Sequence, residues 1–134
     1  MNEIAFQVVL KENYETSLEK VTEALKAEGF GVLTSIDVKA TLKKKLDQDF
    51  RQYTILGACN PPLAHKALEN EPLVGLMLPC NVTVEETKGG TLVSLVNPKT
   101  MLLSSPLFGS NQALVEVATD AYDRFERVHQ ALSK

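Results

Sequence analysis

Apolar and other residues alternate through Ile4, Phe6, Val8 and Leu10, which is the period of a half-buried strand. Asn13 stands where a helix cap belongs. Leu18, Val21 and Leu25 then share one face, with Glu and Lys opposite, and Gly29 is a natural stop. Gly31 to Asp37 is rich in β-branched residues and predicts a second strand. Val38, Leu42 and Leu46, four apart, predict a short helix with Lys39, Lys43, Lys44 and Lys45 mostly outward. Tyr53 to Ala58 predicts a third strand that ends at Cys59. Asn60 then offers a capping side chain and Pro61 the fixed φ of a first helical turn, so a third helix is expected to about Asn70.

Pro72 to Pro79 is apolar at Leu73, Leu76, Met77 and Leu78, but Gly and Pro break the period, and a buried turn is expected. Val82 and Val84 open a strand, Lys88-Gly89-Gly90 turns it, and Leu92 to Val96 returns: a hairpin. Lys99 to Ser110 reads as a loop. Leu114, Ala118, Ala121, Phe125, Val128 and Leu132 then recur at steps of four and three, the strongest helical signal in the chain. The order is β-α-β-α-β-α-β-β-α. A hairpin excludes an all-parallel sheet, so the predicted class is α+β, a single mixed or antiparallel sheet packed with helices.

A length of 134 residues fits one domain, residues 1–134, large enough for an ordinary core without staples. A net charge of -3 argues against a general nucleic-acid binder, which needs clustered Lys and Arg. The opening Met1-Asn2-Glu3-Ile4 lacks the basic and apolar regions of a secretory signal. The nearly uncharged stretch Pro72 to Val84 is broken by Gly75, Pro79 and Asn81 and falls short of a membrane span. These features predict a cytoplasmic protein, and its two cysteines are expected to be reduced.

Phe30-Gly31-Val32-Leu33, Ser35-Ile36-Asp37, Thr54-Ile55-Leu56-Gly57-Ala58-Cys59-Asn60-Pro61, Leu78-Pro79-Cys80-Asn81-Val82-Thr83-Val84 and Val96-Asn97-Pro98 form an ordered set. With its spacing from about Ile4 to Met101, and with the last helix, that set resembles the domain-of-unknown-function 302 family. Many members look like Ile-Asp-His where this chain has Ile36-Asp37-Val38, and others lack the cysteines. The resemblance implies a compact α+β domain from bacteria or archaea, often a homodimer. It implies no established activity.

Cys59 and Cys80 each stand beside a proline and an asparagine at an element end. If their strands are antiparallel neighbours, both thiols meet at one edge of the sheet, with Cα atoms within roughly 10 Å. A helix start beside Cys59 would lower its thiol pKa. The pair then reads as a thiol-redox couple or a soft-metal site for zinc or copper, with His65 as a third ligand. Two buried small hydrophobes are the plainer alternative. Asp37, between a strand and a helix, is a cap or an acid-base group in a cleft, and it joins Cys59, Asn60 and Cys80 as a candidate ligand contact. Ser104 and Ser105 lack a GxSxG elbow, and Gly89-Gly90 lacks a phosphate-loop lysine.

The leading expectation is a non-enzymatic homodimeric domain that binds a small ligand or a protein partner, with no cofactor, nucleic acid or membrane. A thiol or metal protein is second, and a small enzyme of unknown class is third.

Overall fold

The computed structural model describes residues 2–134. Its five strands are β1 (Ala5–Leu10), β2 (Gly31–Asp37), β3 (Tyr53–Cys59), β4 (Cys80–Thr87) and β5 (Gly90–Val96). They form one sheet in the order β1-β5-β4-β3-β2, and every neighbouring pair is antiparallel. Helices α1 (Tyr14–Ala27), α2 (Val38–Leu46) and α3 (Pro61–Asn70) fall between the first strands, and α6 (Gln112–Leu132) closes the chain. The fold is α+β.

Local chemistry sets the helix ends. The Thr16 amide donates to Asn13 Oδ1 at 2.8 Å, the Ala40 amide to Asp37 Oδ1 at 2.9 Å, and the Leu63 amide to Asn60 Oδ1 at 3.2 Å. Gly29 follows α1 with φ +83°, a backbone that side chains with a Cβ rarely adopt.

Along each inner strand, alternate residues enter the core: Val82 and Val84 of β4 and Val93 and Leu95 of β5 are fully buried. Val21 and Leu25 of α1 and Phe125 and Val128 of α6 pack over them, with the Phe30 and Phe125 rings 4.7 Å apart. A second apolar cluster lies beside the first half of α6. It joins Ala67, Val74, Leu102, Phe108, Leu114 and Val117. Val117 is buried there, 4% exposed.

Two segments differ from the sequence expectation. The stretch read as a loop from Lys99 to Ser110 contains two short helices, α4 (Pro98–Leu103) and α5 (Pro106–Gly109). Asn97 caps the first and Ser105 the second, each followed by a proline, the same pairing that starts α3. The segment read as a buried turn is a 3₁₀ helix, Pro72–Met77. Only Val74 is buried there, and Leu76 is 80% exposed. Three residues per turn put Val74 and Met77 on the inner side and leave Leu73 and Leu76 together on the outer one.

Candidate functional site

The two apolar clusters meet at the end of the sheet where β3 finishes and β4 begins, and their seam holds a half-enclosed crevice. Ala58, Cys59 and Asn60 supply one wall, and Leu78, Pro79 and Cys80 another. Leu63 and Ala64 of α3, Leu102 of α4, and Val117 and Ala121 of α6 close the rest, and no ionisable group besides the two thiols reaches the lining. The cavity is about 40 Å³. That exceeds the roughly 10–15 Å³ that a single water requires, and it lies far below the roughly 300–1,000 Å³ of a drug-sized ligand cleft. Its chemistry and size suit an apolar group of a few heavy atoms.

Sheet register brings the cysteines together. Ala58 stands directly opposite Cys80, so Cys59 is one residue beyond that pair. With a step of about 3.3 Å along the strand and about 5 Å across it, the two Cα atoms are roughly 6 Å apart. Both thiols are free. Cys59 follows Ala58 at the end of β3, one step beyond the Ala58–Cys80 pair, and both cysteines line the crevice.

Electrostatics run opposite to an activated thiol. Burial pushes the Cys80 thiol up to about 12, with Cys59 adding repulsion, and burial also raises Cys59. Desolvation thus outweighs any pull from the start of α3 at Cys59. Both cysteines rest as neutral thiols.

The other predicted residues separate. Asn60 is buried at the rim; its side chain caps α3 and fits so closely that a Cβ on Gly29 would stand 2.9 Å from Asn60 Nδ2. His65 points away from the thiols: its Nε2 lies 3.1 Å from Glu69 Oε1, and its side chain is 75% exposed. Leu63 and Ala67 face inward two residues to either side, about 200° round the helix. Among the described residues, no group of three or more His, Cys, Asp or Glu side chains is placed to hold a metal ion. Asp37 pairs with Thr54, at the far end of β3 and about 17 Å along the strand from Cys59. There it caps α2 and faces Tyr14, whose hydroxyl bonds the Thr54 hydroxyl. Burial first, then the charges of Asp37, Glu15 and Glu86, raise the Tyr14 pKa.

Sequence reasoning missed Leu63, Leu102, Val117 and Ala121. Each is an ordinary helical core residue in its own segment, and only packing brings them to one crevice.

An antiparallel sheet packed with helices, and an apolar crevice where the end of the sheet meets them, defines an α+β domain with a small apolar recess. The chain matches the model of the family described as "Domain of unknown function DUF302" over residues 6–132, and it belongs to that family. It is also similar to a solved structure, the crystal structure of an uncharacterized conserved protein DUF302 from Bacillus stearothermophilus. The two are 33% identical with a TM-score of 0.81, over 95% of this chain and 96% of that one. No curated protein matches the chain. No helix among the described residues is long and apolar enough to cross a membrane.

Proposed function

We propose that this chain is a non-catalytic binding domain of the cytoplasm. It works as a homodimer and holds a small apolar group, from a ligand or from a partner's side chain, in the crevice walled by Cys59, Asn60 and Cys80. The observation that carries this reading is the lining: a recess open to solvent yet almost wholly apolar, with both thiols held neutral. Such a surface gains by covering itself with an apolar group and offers no acid, base or thiolate for conventional catalysis.

Native mass spectrometry of protein from unsupplemented extract tests this. Wild type carries a bound mass that Ala64→Phe, which fills the crevice from its partly open side, does not. An adduct retained by Ala64→Phe, or a wild-type protein that takes up no short-chain alcohol or thiol from a panel, contradicts it.

The adjacency of Cys59 and Cys80 favours one second reading, a two-thiolate site for a soft ion such as zinc or copper(I), reached by deprotonation on binding. Thiol titration with metal analysis separates the two. Two slow thiols and no metal fit the binding domain. Stoichiometric metal, lost in Cys59→Ser and Cys80→Ser, fits the second reading.

A further inference from the structure

The sheet has two edges, and they are finished differently. β1 is covered by the last turns of α6, where His129 Nε2 bonds the Gln7 carbonyl at 2.8 Å. β2 has no strand on its free side: among the described residues no backbone group outside β3 bonds to its backbone, and the one outside amide that reaches it, that of Ala40, goes to the Asp37 side chain at the start of α2. Its sequence, Gly-Val-Leu-Thr-Ser-Ile-Asp, contains no lysine, arginine or proline, the usual devices that keep an edge from pairing. Only a bulge between Val32 and Thr34 interrupts it. Leu33 is 68% and Ile36 48% exposed.

We infer that the β2 edge is the self-association surface: two copies pair β2 against β2 in antiparallel fashion about a two-fold axis near Thr34, giving one continuous sheet across the dimer. The inference deepens the homodimeric part of the function proposed above. An isologous contact is self-complementary, and antiparallel pairing of a strand with its own copy satisfies that condition along its length.

Charge complementarity identifies a second copy, rather than an unrelated strand, as the occupant. Between α1 and β2 runs a groove with an apolar floor at Leu18, Val32 and Leu56, walled by Glu19 and Glu23, with a volume of about 400 Å³. Neither glutamate has an ion-pair partner among the described residues, and the same holds for Lys39, Lys44 and Lys45 of α2. α2 buries none of its residues in the protomer, and Leu46 is exposed. Pairing about Thr34 sets Asp37 of one copy, where α2 begins, opposite Gly31 of the other, just beyond the end of α1. A cationic helix with a spare apolar side is thereby delivered to an acidic apolar groove.

Light scattering and sedimentation across nanomolar to micromolar concentrations test this. Wild type is dimeric at micromolar concentration, with a dissociation constant that rises with salt. Leu33→Lys/Ile36→Lys, at positions exposed in the protomer, weakens the dimer at least tenfold without loss of helical signal. Glu19→Lys/Glu23→Lys weakens it too, and adding Lys39→Glu/Lys44→Glu restores it. Amide exchange in Val32–Ile36 slows as concentration rises. A wild type that stays monomeric overturns both the homodimer and this interface. A dimer indifferent to the β2 substitutions but broken by Leu73→Lys/Leu76→Lys overturns the interface and leaves the homodimer standing. Failure of the charge swap to restore association overturns the place given to α2.

Discussion

Gly57 lies midway between the two features that matter most, and Gly57→Ala probes both. A Cβ there would stand 2.2 Å from Thr34 Oγ1 on β2 and 2.7 Å from Cγ of Pro79, which walls the crevice. Ordinary carbon contacts begin near 3.5 Å, so each neighbour must give way. The two can do so unequally. Thr34 is exposed, and its hydroxyl can swing to another staggered rotamer. The Pro79 ring is fixed to its backbone and has to shift by about 0.8 Å. Two close approaches at once put the cost in the upper part of the overpacking range, about 2–3 kcal/mol, and loss of glycine freedom in the unfolded chain offsets up to about 1 kcal/mol of it. At about 3–4 °C per kcal/mol for a chain of this length, the net loss of about 1–3 kcal/mol should lower the melting temperature by roughly 3–12 °C. Differential scanning calorimetry measures the change. Gly89→Ala, where a Cβ meets nothing within 4 Å, is the control and should be neutral or slightly stabilising. Thr34→Ala added to Gly57→Ala should return only the smaller part of the loss, because Pro79 still clashes. A Gly57→Ala protein that melts like wild type, or one rescued fully by Thr34→Ala, refutes the claim that Pro79 is held rigidly against β3 at the crevice rim.

Phe125→Ala removes a fully buried ring stacked near Phe30 and should cost about 3–5 kcal/mol, whereas Glu126→Ala, one step round α6 and exposed, should cost under about 0.5 kcal/mol; equal melting of the two would mean that the buried face is misassigned. The Cys80 thiol should respond to alkali in the following sense. Its folded pKa of about 12 lies above the ordinary value of 9.0, so its contribution to stability is complete below about pH 9 and is lost as pH rises from there toward 12. Subtracting the stability curve of Cys80→Ala from that of wild type isolates this dependence, and a flat difference contradicts the assigned burial. In the native protein, iodoacetamide should alkylate half-buried Cys59 before Cys80, and the reverse order would place the crevice floor wrongly.

Most of the elements are legible in the chain because local chemistry fixes them. Asn13 and Asn60 cap the helices that they precede in the sequence, β2 and α2 meet at Asp37 as the β-branched run and the four-residue spacing predict, and the last helix follows its steps of four and three. Asn97-Pro98 and Ser105-Pro106 carried the same cap-and-proline signature, but the runs after them are too short to show a helical period, so α4 and α5 escape a reading based on periodicity. The composition of β2 predicts the strand but says nothing of its burial, and in the fold it is largely exposed while α1 and α6 cover the inner strands. The candidate site divides in the same way. Register made the meeting of Cys59 and Cys80 predictable, since β3 and β4 are antiparallel neighbours whose ends meet. The separation of His65 follows from the inward positions of Leu63 and Ala67, and the distance to Asp37 from the length of β3. What no local pattern contains is the far wall of the crevice, where Leu102 and Val117 arrive from segments distant in sequence.

The measurement that bears most directly on the crevice as a binding site is methyl NMR under xenon pressure, because xenon is a featureless apolar probe of small recesses. Saturable shifts are expected at Leu63, Leu102 and Val117, absent at Val21 and Leu25 in the closed core and abolished by Ala64→Phe. Shifts that grow linearly and uniformly across all methyl groups, or saturable shifts that survive Ala64→Phe, would contradict a binding role for the crevice.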